Sequence, residues 1–457
     1  MELAWDLDRW TPEKAHGFIE AWAKRTFGKP YAREIADLQA EYYRLQAAGK
    51  DAHVWFLEYP EPEIRQRLAD WEKVSDRASE LEKDLPEPLK AAYFELVHYP
   101  IRGAWLLNEY QLRARLSMAE GARGEVAPAL EDARRTEEMF AGLNEWTRYY
   151  NEELLDGKWN YFFNWRPYHW YYSDRMDAPV FTEELISQVK EGPAPRSLSV
   201  ASALSQGGVR IESDQEGEIP LWIHALTPVQ HFSKLPQDNI FCQVRCGNDS
   251  FAASARPENN VWHSPLIGPM WSQVGTITLK KGENRLHLTD LQPQTQIDAL
   301  YIGLYPPFPE APRLQIPAKA YHAASAAAPE KVVTIPQLGF SPGVMVLPLG
   351  ASHSESEAPY VEYELDLQDE DKRLEIRTLP TLHVYEGRQV RYAVSLDGAA
   401  PEVFSIHTED FTPEWRWNVL RGYSCRSVSL EGLPKGPHTV RVSLMDPGII
   451  LQELRVY

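Results

Sequence analysis

Three cysteines in 457 residues leave no material for a disulfide framework: Cys242, Cys246 and Cys425 are a sparse and odd set. Cys242 and Cys246 flank Gln243-Val244-Arg245 in a strand-like stretch, on one face but too far apart along one strand to bond to each other. No further Cys or His stands near them at ligand spacing, so they read as small thiols rather than a metal site, and a reducing compartment is favoured. Basic charge is short as well. Lys+Arg number 47 against 66 Asp+Glu, a net charge of −19, so the basic face that nucleic acid or anionic lipid requires is missing. No apolar run approaches the roughly 20 residues that cross a bilayer. Met1-Glu2-Leu3-Ala4-Trp5-Asp6 has no basic segment followed by an apolar one, so no secretory leader is read and the expected location is cytoplasmic. The chain also lacks G-x-G-x-x-G, a phosphate-loop lysine and H-E-x-x-H. Acidic pairs such as Glu152-Glu153 read as solvated surface, because a glycosidase needs two carboxylates facing across a cleft. No catalytic residue, metal or cofactor is therefore expected in this chain.

What is present is length for about three domains at ~150 residues each. The first third is helical. Thr11-Pro12 caps a helix carrying Phe18, Ile19, Trp22 and Ala23, which stops at Gly28. A second carries Ile35, Leu38, Tyr42 and Leu45, and a third begins near Pro62 with Ile64, Leu68, Trp71, Val74 and Leu81 at helical steps. A fourth runs from Pro88 toward Leu116 with a kink expected at Pro100, and a fifth runs from about Glu125 to Leu154. Five amphipathic helices with short links predict a bundle over 1–156. From Arg196 onward, short apolar alternations predict strands, in two β-sandwich-like domains over 195–315 and 316–457. The fold class is thus multidomain α + β, a five-helix bundle followed by two sandwiches.

The two β regions share an internal repeat. Lys281-Gly282-Glu283-Asn284-Arg285-Leu286-His287-Leu288 aligns without gaps on Lys435-Gly436-Pro437-His438-Thr439-Val440-Arg441-Val442, and Leu300 and Ile302 match Leu454 and Val456. The pattern predicts one terminal hairpin used twice, like that of sugar-binding sandwich modules.

Aromatic residues are abundant and unevenly spread. Between Trp146 and Tyr172, a window of 27 residues, twelve positions are aromatic. Trp146, Tyr149 and Tyr150 keep helical spacing, whereas Trp159 to Tyr172 has no period and contains Pro167, which predicts a connecting loop over 157–194. Such rings pack between domains or hold sugars on their flat faces. Trp159, Trp165, His169 and Trp170 are the candidate saccharide contacts there.

Several segments together resemble glycoside hydrolase family 115, the xylan α-glucuronidases. They are Ala4-Trp5-Asp6 with Phe18, Trp22-Ala23 and Phe27-Gly28; Tyr93-Phe94-Glu95-Leu96-Val97-His98-Tyr99-Pro100; Asn108-Glu109; and Gly157-Lys158-Trp159-Asn160. Toward the C-terminus Leu379-Pro380-Thr381-Leu382, Arg391-Tyr392-Ala393-Val394-Ser395-Leu396-Asp397 and Met445-Asp446-Pro447-Gly448-Ile449-Ile450-Leu451-Gln452 extend the likeness, which covers about 1–180 and 320–457. Tyr161-Phe162-Phe163-Asn164-Trp165-Arg166-Pro167 departs from the His-Met-Met-Ser-Gln-Pro-like run of the family.

The resemblance implies that the catalytic carboxylates lie in an α/β domain and barrel preceding this bundle. The chain then corresponds to the C-terminal half, non-catalytic alone, with a catalytic barrel chain, a homo-oligomer and glucuronoxylan or its oligosaccharides as expected partners. The C-terminal domain of the family approaches the active site, so Thr381, His383 and Tyr385 are the candidates for a contributed contact. A stand-alone carbohydrate-binding protein and an assembly protein docking through its aromatic loop are the alternatives.

Overall fold

Glycine and proline punctuate the helices at Gly28, Pro30, Pro62 and Pro88, whereas the expected Thr11-Pro12 cap lies outside the described residues. The computed structural model describes residues 5–6, 8–10, 14, 17–54, 57–162, 178–227, 240–254, 269–325, 331–336, 338–347, 351–383, 389–410 and 412–457. Helix α1 (Phe18–Phe27) ends at Gly28, whose φ of 92° turns the chain into α2 (Lys29–Ala47), with Pro30 in the first turn of α2. Then follow α3 (Glu61–Asp84), α4 (Glu87–Tyr93), α5 (Tyr99–Ala122) and α6 (Val126–Arg148). The expected break at Pro100 is a π-helical turn at Phe94–His98, closed by the Tyr99 N–H on the Phe94 carbonyl. Pro100 cannot donate to the Leu96 carbonyl, and the Gln39 side-chain amide of α2 donates to that oxygen instead at 3.1 Å.

The chain divides into two compact units that interleave in sequence. One comprises Met1–Lys50, Ala69–Arg102 and Glu310–Tyr457; the other comprises Asp51–Leu68 and Gly103–Pro309. The first unit buries Phe27, Trp71 and Tyr93 among its helices, with Tyr93 donating to the Ala78 carbonyl at 2.9 Å. In the second unit α5 carries a buried polar seam: Arg67 donates to Asn108 at 2.8 Å, and the fully buried Glu109 is paired with Arg113. Asn108-Glu109 is thus a satisfied internal network.

Each unit contains one β-sandwich. In the second unit the strands are β1 (Arg196–Leu198), β2 (Val209–Ser213), β3 (Gly217–Leu226), β4 (Ile240–Cys246), β5 (Asp249–Ser254), β6 (Met270–Leu279), β7 (Gly282–Thr289) and β8 (Gln296–Ile302). They form sheets in the orders β1-β8-β3-β6 and β2-β7-β4-β5. In the first unit, β9 (Leu314–Pro317), β10 (Ala323–Ala324), β11 (Lys331–Ile335), β12 (Gly343–Leu347), β13 (Tyr360–Leu367), β14 (Arg373–Thr378), β15 (Arg391–Leu396), β16 (Glu402–Ser405), β17 (Ser424–Ser429), β18 (Gly436–Leu444) and β19 (Leu451–Val456) form the other sandwich. Its sheets run β10-β13-β18-β15-β16 and β11-β12-β19-β14-β17, with β9 also on β19.

Seven strands recur in the same order, β2–β8 and β13–β19, so β2-β7-β4-β5 answers to β13-β18-β15-β16 and β8-β3-β6 to β19-β14-β17. The aligned segments fall on β7–β8 and β18–β19, but they are not hairpins. β7 pairs with β2 and β4 while β8 pairs with β1 and β3, and β18 and β19 likewise lie in different sheets. The proline-bearing loop therefore crosses from one sheet to the other over the core. A period of two reports which side chains face inward, not which sheet a strand joins.

Candidate functional site

The sequence-predicted residues fall in different units. Trp159 lies in a tight turn after α6, whose end is a π-helical turn at Tyr149–Glu153. Leu155, Asp156 and Gly157 follow with φ of 52°, 58° and 74°. Two successive non-glycine residues in the left-handed region are a local strain of the kind found at ligand clamps. The turn aims Trp159 inward: its indole Nε1 is buried and has no hydrogen-bond partner among the described residues, Lys158 Nζ sits 4.6 Å from the ring centroid, and the Phe162 ring lies 5.4 Å away. Tyr161 and Phe162 are 73% and 58% exposed, an apolar surface beside that ring. Trp165, His169 and Trp170 lie outside the described residues, as does Tyr385.

Thr381 and His383 share one loop of the other unit. Thr381 Oγ1 donates to the Gly448 carbonyl at 2.6 Å and its N–H to Leu379 O at 2.9 Å, so its hydroxyl ties two loops together. His383 is exposed, its ring 5.2 Å from that of His407.

The richest side-chain chemistry lies on the outward faces of the two equivalent sheets, a clustering the sequence reading missed. On β3, Ile219, Leu221, Ile223 and Ala225 enter the core, so Trp222 and His224 point outward. Trp271 of β6 is paired with His224, and Tyr301 of β8 with Trp222, so all four share that face. Trp222 Nε1 donates to the Gly303 carbonyl at 3.0 Å, and its ring meets Tyr305 edge-on at 5.5 Å. His224 stands between two carboxylates: Nδ1 contacts Asp298, and Nε2 is 2.9 Å from Glu58. Burial disfavours charge on the imidazole, but the two carboxylates outweigh it and raise its pKa to about 10. Glu58, His224 and Asp298 are far apart in sequence, so no spacing rule points to the cluster.

The equivalent face of the other sandwich is a checkerboard of charge. β14 presents Arg373, Glu375 and Arg377, and β19 presents Glu453 and Arg455, with Arg377 opposite Glu453 and Glu375 opposite Arg455. Tyr423 lies beneath two guanidiniums, Arg377 at 4.2 Å and Arg421 at 4.6 Å from its ring centroid. Arg421 ends helix α7 (Pro413–Arg421), which the sequence reading passed over although Thr412, Pro413 and Gly422 announce it. The Thr412 hydroxyl accepts from the Trp415 N–H, and Gly422 takes φ 76°. A Cβ on Gly422 would stand 2.9 Å from the Ala47 carbonyl, so only glycine fits between the ends of α2 and α7.

The three thiols are free. Burial pushes Cys242 up to about 12 and Cys246 up to about 11, both inside the core of the first-described sandwich. Among the described residues no group of three His, Cys, Asp or Glu could hold a metal ion, and no helix is long and apolar enough to cross a membrane.

Comparison with known proteins adds family and fold. Residues 312–457 match the glycosyl hydrolase family 115 C-terminal domain, and residues 1–53 match glycosyl hydrolase family 115. The structure of a family 115 4-O-methyl-α-glucuronidase with specificity for decorated arabinogalactans covers 100% of this chain at 19% identity and a TM-score of 0.57. The chain spans 43% of that enzyme's length, and the match takes in the 195–315 stretch that the sequence resemblance left out. A family 35 carbohydrate-binding module from Clostridium thermocellum aligns over 32% of this chain and 98% of its own at 12% identity, with a TM-score of 0.23, too slight to argue from. No curated protein matches the sequence.

Proposed function

We propose, for a chain that belongs to glycoside hydrolase family 115, an accessory role as the C-terminal half of a xylan α-1,2-glucuronidase-like assembly. It braces a catalytic barrel, supplies glycan contacts and performs no chemistry by itself. The observation that carries this reading is that all of the chain lies on 43% of a family 115 enzyme. The catalytic carboxylates would then be supplied from outside these residues, by a catalytic barrel chain or segment, with self-association of this half as a further element of the proposal. The test is an assay of this chain alone on glucuronoxylan oligosaccharides and on decorated arabinogalactan. Uronic acid at the level of a buffer blank is the expected result, and release well above it would sink the non-catalytic reading.

The outward face bearing Trp222, Trp271 and Tyr301 favours a second reading, glycan binding without a barrel. Indole and phenol faces stack on the C–H faces of pyranose rings, and the two-thirds-exposed Asp298 stands beside them as a hydrogen-bond acceptor for sugar hydroxyls. Calorimetry of the full chain against xylan and arabinogalactan oligosaccharides separates the readings. Saturable heat that disappears in Trp271→Ala supports binding at this face, and flat traces across the panel remove it.

A further inference from the structure

The checkerboard on β14 and β19 sets three arginines against two glutamates, and Arg421 at the end of α7 adds one more cation. Arg377 pairs with Glu453 at 3.3 Å and with Glu375 at 3.4 Å, and Arg455 pairs with Glu453 at 2.6 Å. Arg421 adds another cation over the same Tyr423 ring, and its partners are neutral: Nε donates to the Tyr423 carbonyl at 2.8 Å and Nη2 to Asn418 Oδ1 at 2.7 Å. Among the described residues no carboxylate pairs with it. Burial first, and the neighbouring Arg377 as well, push the Arg421 guanidinium below its ordinary range. Arg377 is only 11% exposed, and among the described residues its buried Nε has no hydrogen-bond partner. Glu375 acts on Arg421 through space but is already paired with Arg373 and Arg377, so this group of arginines keeps one unused buried donor and an excess of positive charge.

We propose that Arg377, Arg421 and Tyr423 form a binding site for one small oxyanion, a carboxylate or an inorganic tetrahedral anion. The planar forks of the two arginines suit two-oxygen acceptors, and both guanidiniums lie against the Tyr423 ring. The inference stands apart from the accessory reading, because an anion would bind whether or not the chain engages a glycan.

The test uses the full chain, with acetate, glucuronate and sulfate titrated at fixed ionic strength against chloride. Saturable binding in calorimetry and a matching rise in Tm are expected for at least one of them. Acetate or glucuronate acting alone identifies a carboxylate as the occupant, and sulfate acting alone an inorganic anion. Arg421→Gln should weaken binding by about tenfold or more, the loss of one charge-assisted hydrogen bond. A second readout does not depend on the variant folding: the bound anion should shield Arg421 of the wild-type chain from an arginine-specific dicarbonyl reagent, read by mass spectrometry. Flat titrations with all three anions overturn the proposal. So does equal affinity in Arg421→Gln, or equal labelling of Arg421 with and without anion.

Discussion

The two sandwiches share seven strands in one order, yet their equivalent outward faces carry opposite chemistries. One presents Trp222, Trp271 and Tyr301 around a histidine held by two carboxylates; the other presents Arg373, Glu375, Arg377, Glu453 and Arg455. The inward faces are interchangeable by comparison: Leu286 and Leu288 occupy the places of Val440 and Val442, and all four are buried. Apolar packing tolerates exchanges of similar volume, so the core preserves the architecture while the outward face is free to diverge. Function in this chain should be sought on those faces rather than in the shared topology.

The largest expected effect tests the shared cores. Leu300→Ala and Leu454→Ala each remove a fully buried side chain at matched positions, and each should cost about 2–5 kcal/mol in urea unfolding. A cost below ~1 kcal/mol at one site alone would break the equivalence. Next is the histidine face. His224 in the folded protein has a pKa raised to about 10, above the ~6.5 of an unfolded histidine. Its contribution is therefore fully present below about pH 6.5 and is lost as pH rises through about 10. His224→Gln should cost about 1–3 kcal/mol near neutral pH and converge on the wild type at alkaline pH. Parallel stability–pH curves from pH 6 to 11 would contradict the assignment.

The charged face should respond less. Arg377→Lys keeps the charge but loses the planar stack on Tyr423, for an expected loss of about 0.5–2 kcal/mol by denaturant unfolding. The smallest effect belongs to the loop. Thr381→Val removes the hydroxyl that donates to Gly448, so about 1 kcal/mol should be lost, with glycan affinity unchanged if the hydroxyl serves only the loops.

The helices were legible because each carries its own punctuation. Gly28, Pro62 and Pro100 act through local backbone rules, and even the Pro100 disturbance appears where a missing N–H requires it. Strand existence was legible for the same reason, whereas sheet membership depends on partners far away in the chain, such as Val209 for Leu286 and Leu374 for Val456, so the two crossovers read as hairpins. Of the candidate contacts, Trp159 stood out because it sits in an aromatic run. His224 did not, because Glu58 and Asp298 reach it only through the fold, and Arg421 did not, because its partner Tyr423 lies beyond a helix end that had gone unread.

The interleaving of the units has a consequence for synthesis. Helices α1 and α2 leave the ribosome before the strands described here, but they belong to the unit whose β19 is paired with β14 on one side and with β9 and β12 on the other. The other unit has all of its residues once Pro309 has been made, and it can form its sandwich while the opening helices still wait for theirs. Within these residues folding would then proceed from the middle outward, leaving α1 and α2 the longest in need of protection.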